Sequence, residues 1–257
     1  MITTEPVGDI ASIGLDELVE RAELLTRIDR KYLLPAAALP AILAGLPGDA
    51  RVLEIDGGRT FAYRSQYFDT PRLDSYRTTA QRRRRRFKLR IRSYLDSDLH
   101  LLEIKTRGTR GVTVKQRFPY AGDGVTLSAE MRAHAVRALE AAGVALRDRE
   151  FEAVLTTRFE RITLLLPSTG SRATIDRDLT WTLPSGATLS LPDRMIVETK
   201  SPHGASQLDR LLWSRSHRPC AISKYATGMA ALRPELPDNR WHRILRRHFV
   251  PTEASRP

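Results

Sequence analysis

Lysine is rare in this chain, and the few lysines coincide with segments that alternate like β-strands. The sequence has six lysines against 36 arginines. Lysine offers a compact point charge and arginine a planar fork, so a chain that otherwise uses arginine is predicted to keep lysine where a point charge is needed. Five of the six lie on strand-like segments, and the sixth lies where a late helix is predicted to begin. In order, the lysines are Lys31, Lys88, Lys105, Lys115, Lys200 and Lys224.

The segment RFKLRIRSY has one cationic face and one apolar face. Successive side chains of a strand point to opposite sides. Lys88, Arg90 and Arg92 therefore share a face, and Leu89 and Ile91 lie on the other. Cations in such a row attract phosphate oxygens, which arginine meets bidentately and lysine as a point charge.

Three more segments repeat this alternation of charged and apolar residues. On a single strand the pattern usually marks a solvated sheet face. Its repetition on four strands favours a barrel with a charged lumen and an outer wall that packs on helices. The charged positions are Glu103, Lys105 and Arg107, then Lys115 and Arg117, then Glu198 and Lys200.

The elements that position these residues are mostly predicted strands. Residues 52–191 follow period two between turns rich in Gly, Pro, Asp and Ser. Helical spacing is expected over residues 15–28, after Pro35, and from Ser128 as N-cap to a stop at Gly143. Three further helices are predicted in SQLDRLLWSR, YATGMAALR and NRWHRILRRHF, and residues 251–257 are expected to fray. So many sequential strands predict an α+β fold with a closed antiparallel β-barrel.

Length and composition limit the class of protein. The 257 residues fit a single domain, with a core at about 20–235 and a C-terminal helix at about 239–249. The absence of a long apolar run and of a secretory signal predicts a cytoplasmic protein. Cys220 is the only cysteine and is expected to be a half-buried structural residue. The formal charge of +12 predicts attraction to polyanions without choosing among them.

Two basic segments have several interpretations. The five arginines 82–86 are expected to form a solvated loop, with a funnel for a polyanion as the alternative. Sequence-specific nucleic-acid recognition is not expected, because no helix-turn-helix, zinc-ligand spacing or aromatic-interleaved patch accompanies them. The C-terminal helix is predicted to pack on the body, with peripheral contact to a membrane partner as the alternative. The oligomeric state stays open.

A series of short motifs resembles a known family. RIDRKYLL, YFDTPRLDSY, KLRIRSY, LEIKTR, KQRFPY, FERITL, RATIDRDLTW, VETKS and SKYATG match, in order and spacing, the VTC domain. This domain is the polyphosphate polymerase branch of the triphosphate tunnel metalloenzyme, or CYTH-like, superfamily. The resemblance implies a closed eight-stranded antiparallel tunnel that binds nucleoside triphosphate and metal at its centre.

The resemblance also implies roles for individual residues. Glu198 is expected to be the principal metal ligand for Mn²⁺ or Mg²⁺, with Glu103 as a second candidate. Lys200 is a further lumen candidate from the resemblance, and the charged strand faces add Lys88, Lys115 and Arg117 as residues expected to line the lumen and bind ligand phosphates. The residues expected to bind and activate the reacting phosphates are Lys31, Arg90, Arg92, Lys105, Arg161, Arg172 and Lys224.

One departure bears on the reaction. Hydrolytic members of the superfamily have an ExExK strand near the N-terminus, and the corresponding residues here are Arg27, Asp29 and Lys31. The first carboxylate is thus a cation, which favours ATP-dependent extension of polyphosphate over triphosphate hydrolysis. The alternatives are a metal-dependent triphosphatase and a non-catalytic module that binds polyphosphate or inositol phosphates. No P-loop or GxGxxG motif is present, so side chains must bind the phosphates.

Overall fold

The structure is a computed structural model that describes residues 7–22, 27–107 and 113–249. The helices are α1 Leu15–Ala22, α2 Leu39–Ala44, α3 Asp74–Ala80, α4 Ala129–Ala141, α5 Gln207–Ser214, α6 Lys224–Leu232 and α7 His242–His248. The first strands are β1 Ser12–Ile13, β2 Ile28–Pro35, β3 Arg51–Leu53, β4 Phe61–Asp69, β5 Phe87–Tyr94 and β6 Leu99–Arg107. The others are β7 Thr113–Pro119, β8 Glu152–Leu166, β9 Ser171–Thr182, β10 Thr188–Leu191 and β11 Arg194–Ser201.

Local sequence signals position most of these elements. Ser128 caps α4 by accepting a hydrogen bond from the Met131 N–H, and Gly143 beyond the helix has a φ of +68°, so both predicted signals are confirmed. The helix expected over residues 15–28 covers Leu15–Ala22, and residues 23–26 lie outside the described ranges. Its predicted end at residue 28 is wrong, because Ile28 is the first residue of β2. The expected fraying of residues 251–257 also lies outside them. Helix α3 was missed, because the period-two signal of the surrounding strands masked it.

The sheet is antiparallel along its main path but is not closed. Eight of its eleven strands follow the order β2-β11-β9-β8-β4-β5-β6-β7, and β1, β3 and β10 lie off this path. Among the described residues, β2 and β7 are the ends of the path and do not pair with each other. The prediction of a closed eight-stranded barrel is therefore wrong in its closure and its strand number. The prediction of an α+β fold with a large antiparallel sheet is confirmed.

The outer edge of β2 has a partner other than a closing strand. The backbone carbonyl of Lys31 on β2 accepts a hydrogen bond from the N–H of Cys220, at 2.7 Å. The loop that contains Cys220 thus satisfies the backbone of this edge. Alternation along a strand fixes which side chains share a face, but it does not determine what bonds to the outer edge of the first strand.

The chain forms two compact units. The first contains the residues up to Ala62, Phe159–Leu179 and Leu191–Ala221, and the second contains Tyr63–Arg158, Thr180–Ser190 and the residues from Ile222 on. The prediction of a single domain stays a prediction. Within the described part of the chain, no helix is long and apolar enough to cross a membrane.

Each unit packs the apolar faces of its strands against its own helices. In the first unit, Tyr32 and Val197 from neighbouring strands pack with Leu208 and Leu212 of α5. In the second unit, the apolar face of β5 and β6 packs against α4. This second core contains Leu89, Ile91, Leu102, Ile104, Ala135 and Leu139. The face of each of these strands opposite the core is therefore left for the charged residues.

A glycine allows α6 to approach the end of β9 in the second unit. A Cβ atom at Gly228 would overlap the Trp181 ring, so only glycine permits this packing. The Trp181 Nε1–H donates a hydrogen bond to the backbone carbonyl of Lys224 at 2.7 Å. The ring contact and this bond together fix the first turn of α6, where the SKYATG motif lies.

Candidate functional site

The predicted site residues form two groups, one in each unit. The first group, here the Glu198 cluster, lies on β2, β8, β9 and β11, and the second, here the Glu103 cluster, lies on β5, β6 and β7. The Glu198 cluster consists of the predicted residues Lys31, Arg161, Arg172, Glu198 and Lys200, together with Asp176, which was not predicted. The Glu103 cluster consists of Arg90, Arg92, Glu103, Lys105, Lys115 and Arg117. Lys88 and Lys224 lie in the second unit, at the N-terminus of α6 or in contact with it.

Glu198 lies between two lysines on the first unit's charged face. It is directly opposite Lys31 of β2, and residues directly opposite on paired strands share a face. One carboxylate oxygen, Oε1, lies 2.7 Å from the Lys200 Nζ, and the other, Oε2, lies 3.8 Å from the Lys31 Nζ. The Glu198 side chain remains 19% exposed, so a ligand can reach it.

Arg161 and Asp176 form a third ion pair in the Glu198 cluster. The Arg161 Nε and Nη2 donate to the two carboxylate oxygens of Asp176 at 2.6 and 2.9 Å, in a bidentate geometry. Asp176 is fully buried. It was missed as a site residue, although alternation along RATIDRDL places it on the same face as Arg172. Arg172 lies directly opposite Lys200 in the strand pairing.

The ammonium of Lys200 is buried, with the carboxylate of Glu198 and the guanidinium of Arg161 both close to it. Burial lowers the pKa of Lys200, and the charge of Arg161 lowers it further, whereas Glu198 acts to raise it. The carboxylate of Glu198 thus favours the charged form of this lysine, against the effect of burial. A phosphate oxygen at the same place would provide the same stabilisation.

A buried carboxylate on α5 holds the two strands of this cluster from the opposite side. Asp209 accepts hydrogen bonds from the Tyr32 hydroxyl at 2.6 Å and the Thr199 hydroxyl at 2.7 Å. Tyr32 follows Lys31 on β2, and Thr199 lies between Glu198 and Lys200 on β11. Asp209 thus fixes the backbone on which the functional side chains lie. Asp209 was not predicted as a site residue, because its place in the first turn of a predicted helix was the only signal that pointed to it.

Glu103 is the centre of the second cluster and is fully buried. Its Oε2 accepts a hydrogen bond from the Arg90 Nε at 2.8 Å and lies 3.9 Å from the Arg92 Nε. Its Oε1 is in contact with the Lys115 Nζ and lies 3.3 Å from the Arg117 Nε. Strand pairing causes this convergence, because Arg90 and Arg117 lie directly opposite Glu103 on its two neighbouring strands.

Five cations around one carboxylate shift the pKa values of the cluster. Burial acts to raise the pKa of Glu103, but the charges of Arg90, Arg92, Lys115 and Lys105 outweigh it, and the pKa lies well below its usual range. Burial lowers the pKa of Lys115 to about 7, against the opposing effect of Glu103. Burial and the nearby arginines also lower the pKa of Lys105. The cluster therefore has an excess of positive charge that an anion would neutralise.

A second buried carboxylate stabilises the Glu103 cluster from within its own unit. Asp69, in the motif YFDT, accepts hydrogen bonds from the backbone N–H groups of Ser75 and Tyr76 and from the hydroxyl of Tyr225. The Tyr225 ring stacks on Tyr67, with centroids 5.1 Å apart. The hydroxyl of Tyr67 in turn accepts a hydrogen bond from the Arg90 Nη1 at 3.0 Å.

Lys88 connects β5 to the N-terminus of α6. The Lys88 Nζ donates to the Ser223 hydroxyl at 2.8 Å, and the same hydroxyl caps α6 by accepting from the Ala226 N–H. Lys224 is the first residue of this helix, which confirms its predicted position at the start of a late helix. Lys88 and Lys224 are therefore brought to one place within the second unit.

The two candidate metal ligands differ in their fit to a divalent cation. Mg²⁺ is commonly bound by one or two carboxylates together with substrate phosphates. Glu198 is partly exposed and fits that arrangement, with phosphates supplying further oxygens. The metal role predicted for Glu103 has no support in the geometry, because a divalent cation would meet its four contacting cations at close range. In the described ranges, no group of three or more His, Cys, Asp or Glu side chains could hold a metal.

Known structures resemble the chain only distantly. HpAC1 from Hippeastrum, described as an adenylyl cyclase candidate with a dominant triphosphatase activity, has a TM-score of 0.47 and 18% identity, and the match covers 80% of this chain and 96% of that one. An adenylate cyclase candidate from Vibrio parahaemolyticus has a TM-score of 0.43 and 10% identity, with 79% and 97% covered. A protein from Pyrococcus horikoshii has a TM-score of 0.43 and 11% identity, with 76% and 92% covered. Similarity at this level transfers neither fold nor activity.

The family comparison covers most of the sequence. No curated protein matches the chain. The VTC domain family matches residues 26–233. This range contains both clusters, as well as Lys88, Lys224 and the two supporting aspartates Asp69 and Asp209. The chain belongs to the VTC domain family.

Proposed function

We propose that the chain is a polyphosphate polymerase-like phosphotransferase that moves the γ-phosphoryl group of ATP onto a polyphosphate chain. The observation that supports it most is the Glu103 cluster, in which cations from three strands surround one buried carboxylate. Such an arrangement is preorganised for a multiply charged anion, and membership of the VTC family indicates a phosphate polymer as that anion.

Phosphoryl transfer asks the protein for positioning and for stabilisation of charge rather than for covalent chemistry. A terminal oxygen of the polyphosphate forms a bond to the γ-phosphorus, the bond from that phosphorus to the β–γ bridging oxygen breaks, and ADP leaves. The acceptor oxygen is already anionic, so no general base is needed. In the second unit, the Arg90 fork would orient non-bridging oxygens and Lys105 would stabilise the charge in transit. In the first unit, Arg161 and Lys200 would bind phosphate oxygens in the same two ways.

Glu198 would hold Mn²⁺ or Mg²⁺ together with phosphate oxygens, and the metal when bound would supply electrostatic stabilisation of those oxygens. In the absence of ligand, Lys31 and Lys200 form ion pairs with the Glu198 carboxylate. Phosphates that bind these lysines would release Glu198. The same chain residues thus bind the polyanion and prepare the carboxylate for the cation.

One observation favours a non-catalytic binding module as a second candidate. Of the two predicted metal ligands, only Glu198 has surroundings that fit a cation. Both of its carboxylate oxygens nevertheless lie near lysines, which take the place that a metal would need. A module that only binds polyphosphate or inositol phosphates would need those lysines and no metal. The triphosphatase alternative differs from the polymerase only in the acceptor, because water rather than polyphosphate would then attack the γ-phosphorus.

The test uses the purified full chain with ATP, a polyphosphate primer and either Mn²⁺ or Mg²⁺. We expect ADP release and lengthening of the polymer, and we expect Arg90→Gln to lower turnover roughly 100-fold, as loss of one oxyanion donor does. Arg158→Gln is the matched control, because Arg158 is an exposed arginine of the same unit. Its turnover should stay close to that of the wild type.

Three other results would contradict the proposal. Phosphate release without polymer would favour a triphosphatase. Tight binding of tripolyphosphate without turnover, unchanged in Glu198→Gln, would favour the binding module. Equal loss of activity in Arg90→Gln and Arg158→Gln would mean that the activity depends on total charge rather than on the Glu103 cluster.

A further inference from the structure

Four arginines outside both clusters come together in the second unit, and we refer to them as the arginine platform. The Arg82 N–H and the Arg240 Nη1 both donate to the backbone carbonyl of Thr79, at 3.2 and 2.9 Å. The Arg107 N–H donates to the backbone carbonyl of Arg86 at 3.2 Å. Three separate chain segments therefore meet here: the loop between α3 and β5, the end of β6, and the residues before α7.

The arginine platform concentrates positive charge without a described counter-ion. Burial and the charges of Arg107 and Arg240 lower the pKa of Arg86. Burial and the charges of Arg82 and Arg107 likewise lower the pKa of Arg240. Across residues 7–22, 27–107 and 113–249, no carboxylate forms an ion pair with any of the four. Mutual repulsion that the fold maintains at a surface is typical of a site for an anion.

The arginine platform continues the charged face of β5 and β6. In the strand pairing, Arg90 lies opposite Glu103 and Lys88 lies opposite Lys105. The backbone hydrogen bond between Arg86 and Arg107 continues this register by one further pair. Arg86 is two residues before Lys88, and Arg107 is two residues after Lys105, so both arginines lie on the same face as the Glu103 cluster.

A row of cations thus follows the strand pair from the Glu103 cluster to its end. Arg92 and Arg86 are six residues apart, which corresponds to roughly 20 Å along a strand. That length exceeds a triphosphate and suits an extended linear anion. A ligand that filled only the Glu103 cluster would leave the arginines at the end of the row without an anionic partner in the described part of the chain, since Arg86 donates only to a backbone carbonyl, that of Arg83.

We propose that the arginine platform is a second binding site for linear polyphosphate, which holds the part of the polymer beyond the phosphates bound at the Glu103 cluster. The inference rests on the proposed function and narrows it to a polymer, rather than a triphosphate, as the ligand of the second unit. Arginine forks bind non-bridging phosphate oxygens bidentately, whatever the length of the chain.

The surroundings of the arginine platform favour polyphosphate over nucleic acid. Proteins that bind single-stranded nucleic acids combine cations with exposed aromatic rings on which bases stack. The aromatic ring at this place is Trp241, which lies beneath Arg240 with a guanidinium-to-centroid distance of 5.8 Å. Trp241 is 1% exposed. It therefore supports the arginine and offers no face to a base.

The test measures how affinity depends on polymer length. Isothermal titration calorimetry of the full chain gives the Kd of tripolyphosphate and of long-chain polyphosphate at one ionic strength. We expect the wild type to bind the long chain more tightly. In the double variant Arg86→Gln/Arg107→Gln, the ratio of the two Kd values should fall roughly tenfold, because two phosphate contacts are lost. Arg82→Gln/Arg240→Gln should lower it as well.

The matched control is Arg147→Gln/Arg158→Gln. It removes the same charge from two exposed arginines of the same unit that form no ion pair in the described part of the chain. Its Kd ratio should equal that of the wild type. Thermal unfolding followed by circular dichroism verifies that each variant folds. If the Arg86→Gln/Arg107→Gln variant does not fold, the Kd ratio of the Arg82→Gln/Arg240→Gln variant tests the inference instead.

The outcomes separate the inference from the proposed function. Failure of the wild type to bind tripolyphosphate would refute the proposed function, and the inference with it. Binding of tripolyphosphate with no advantage for the long chain, or with the same ratio in the platform variants, would overturn the inference alone. So would a platform variant that loses affinity for a single-stranded oligonucleotide while it keeps the advantage for long polyphosphate.

Discussion

At the scale of residues, the two carboxylates in the predicted site behave differently because their surroundings differ. Glu198 is partly exposed between two lysines, and Glu103 is fully buried among arginines and lysines. Removing one partner from a buried charge cluster is costly, since the remaining charges stay desolvated without compensation. We therefore regard Glu103 as the counter-ion that holds the cations of β5, β6 and β7 in place.

This role predicts the effect of Glu103→Gln. The substitution leaves the buried cations without their carboxylate, and we expect the free energy of unfolding to fall by about 3–5 kcal/mol. Urea denaturation measures it. Tripolyphosphate should restore more stability to this variant than to the wild type, because the anion replaces the missing charge.

Glu140→Gln serves as the control for that experiment. Glu140 pairs with Arg149 in the same unit, with side chains 43% and 72% exposed, so its loss should change stability little. A Glu103→Gln variant as stable as Glu140→Gln would show that Glu103 does not organise the cluster.

At the scale of elements, buried aspartates hold helices and strands behind the charged faces. Asp209 joins α5 to β2 and β11, and Asp69 joins the end of β4 to α3 and α6. Both accept several hydrogen bonds from groups on different elements. A buried network of this kind specifies the position of each element more sharply than apolar packing does.

Asp69 also predicts a dependence of stability on pH. Burial raises its pKa to about 6, although hydrogen bonds from Tyr225 and from backbone N–H groups act to lower it. The folded state therefore binds the Asp69 proton more tightly than the unfolded state does. The stabilisation from this proton is fully present below about pH 4 and is lost as the pH rises through about 6.

We expect this group to lower the free energy of unfolding by about 3 kcal/mol over that interval. Asp69→Asn removes the titration, so its stability should change less between pH 4 and 7 than that of the wild type, whatever its absolute value. Urea denaturation at several pH values measures both profiles. Parallel profiles would show that Asp69 does not titrate as inferred.

At the scale of the whole molecule, the net charge of +12 favours the approach of any anion, and we expect the two clusters to decide where anions bind. C-terminal residues contribute to packing at this scale. Trp241 and Phe249 flank α7 and are buried in the second unit, against Tyr76 and Trp181 respectively. This favours the interpretation of the C-terminal helix as packed on the body. Contact with a membrane partner stays a prediction.

The salt dependence of tripolyphosphate binding distinguishes contacts made by particular arginines from attraction to the total charge of the protein. The logarithm of the binding constant for tripolyphosphate should fall with the logarithm of salt concentration, and each phosphate contact should contribute roughly 0.7–0.9 to the slope. Arg92→Gln/Arg117→Gln should reduce the slope by about 1–2. Arg147→Gln/Arg158→Gln removes the same charge and should leave it unchanged. Equal slopes for the two variants would indicate an unspecific basic protein.

The sequence by itself determined the faces of the strands. Alternation placed Lys88, Arg90 and Arg92 on one side and the core on the other, because the side-chain period of a strand is a local property of the backbone. Helix α4 was equally local, since its N-cap and its terminal glycine signal its ends. Nine ordered motifs were sufficient to recognise the family.

Only the tertiary structure decided which strands are neighbours and which charges meet. Pairing of β6 with β5 and β7 makes Glu103 the centre of a cation cluster, which the alternation along its own strand did not indicate. The loop at Cys220 bonds to the outer edge of β2, and the sheet is left open. Asp209 and Asp69 gained their roles partly from partners distant in sequence, Tyr32 and Tyr225 respectively, and Asp176 gained its role from Arg161 on the neighbouring strand. Such contacts depend on the packing of the whole chain, which no local pattern of residues encodes.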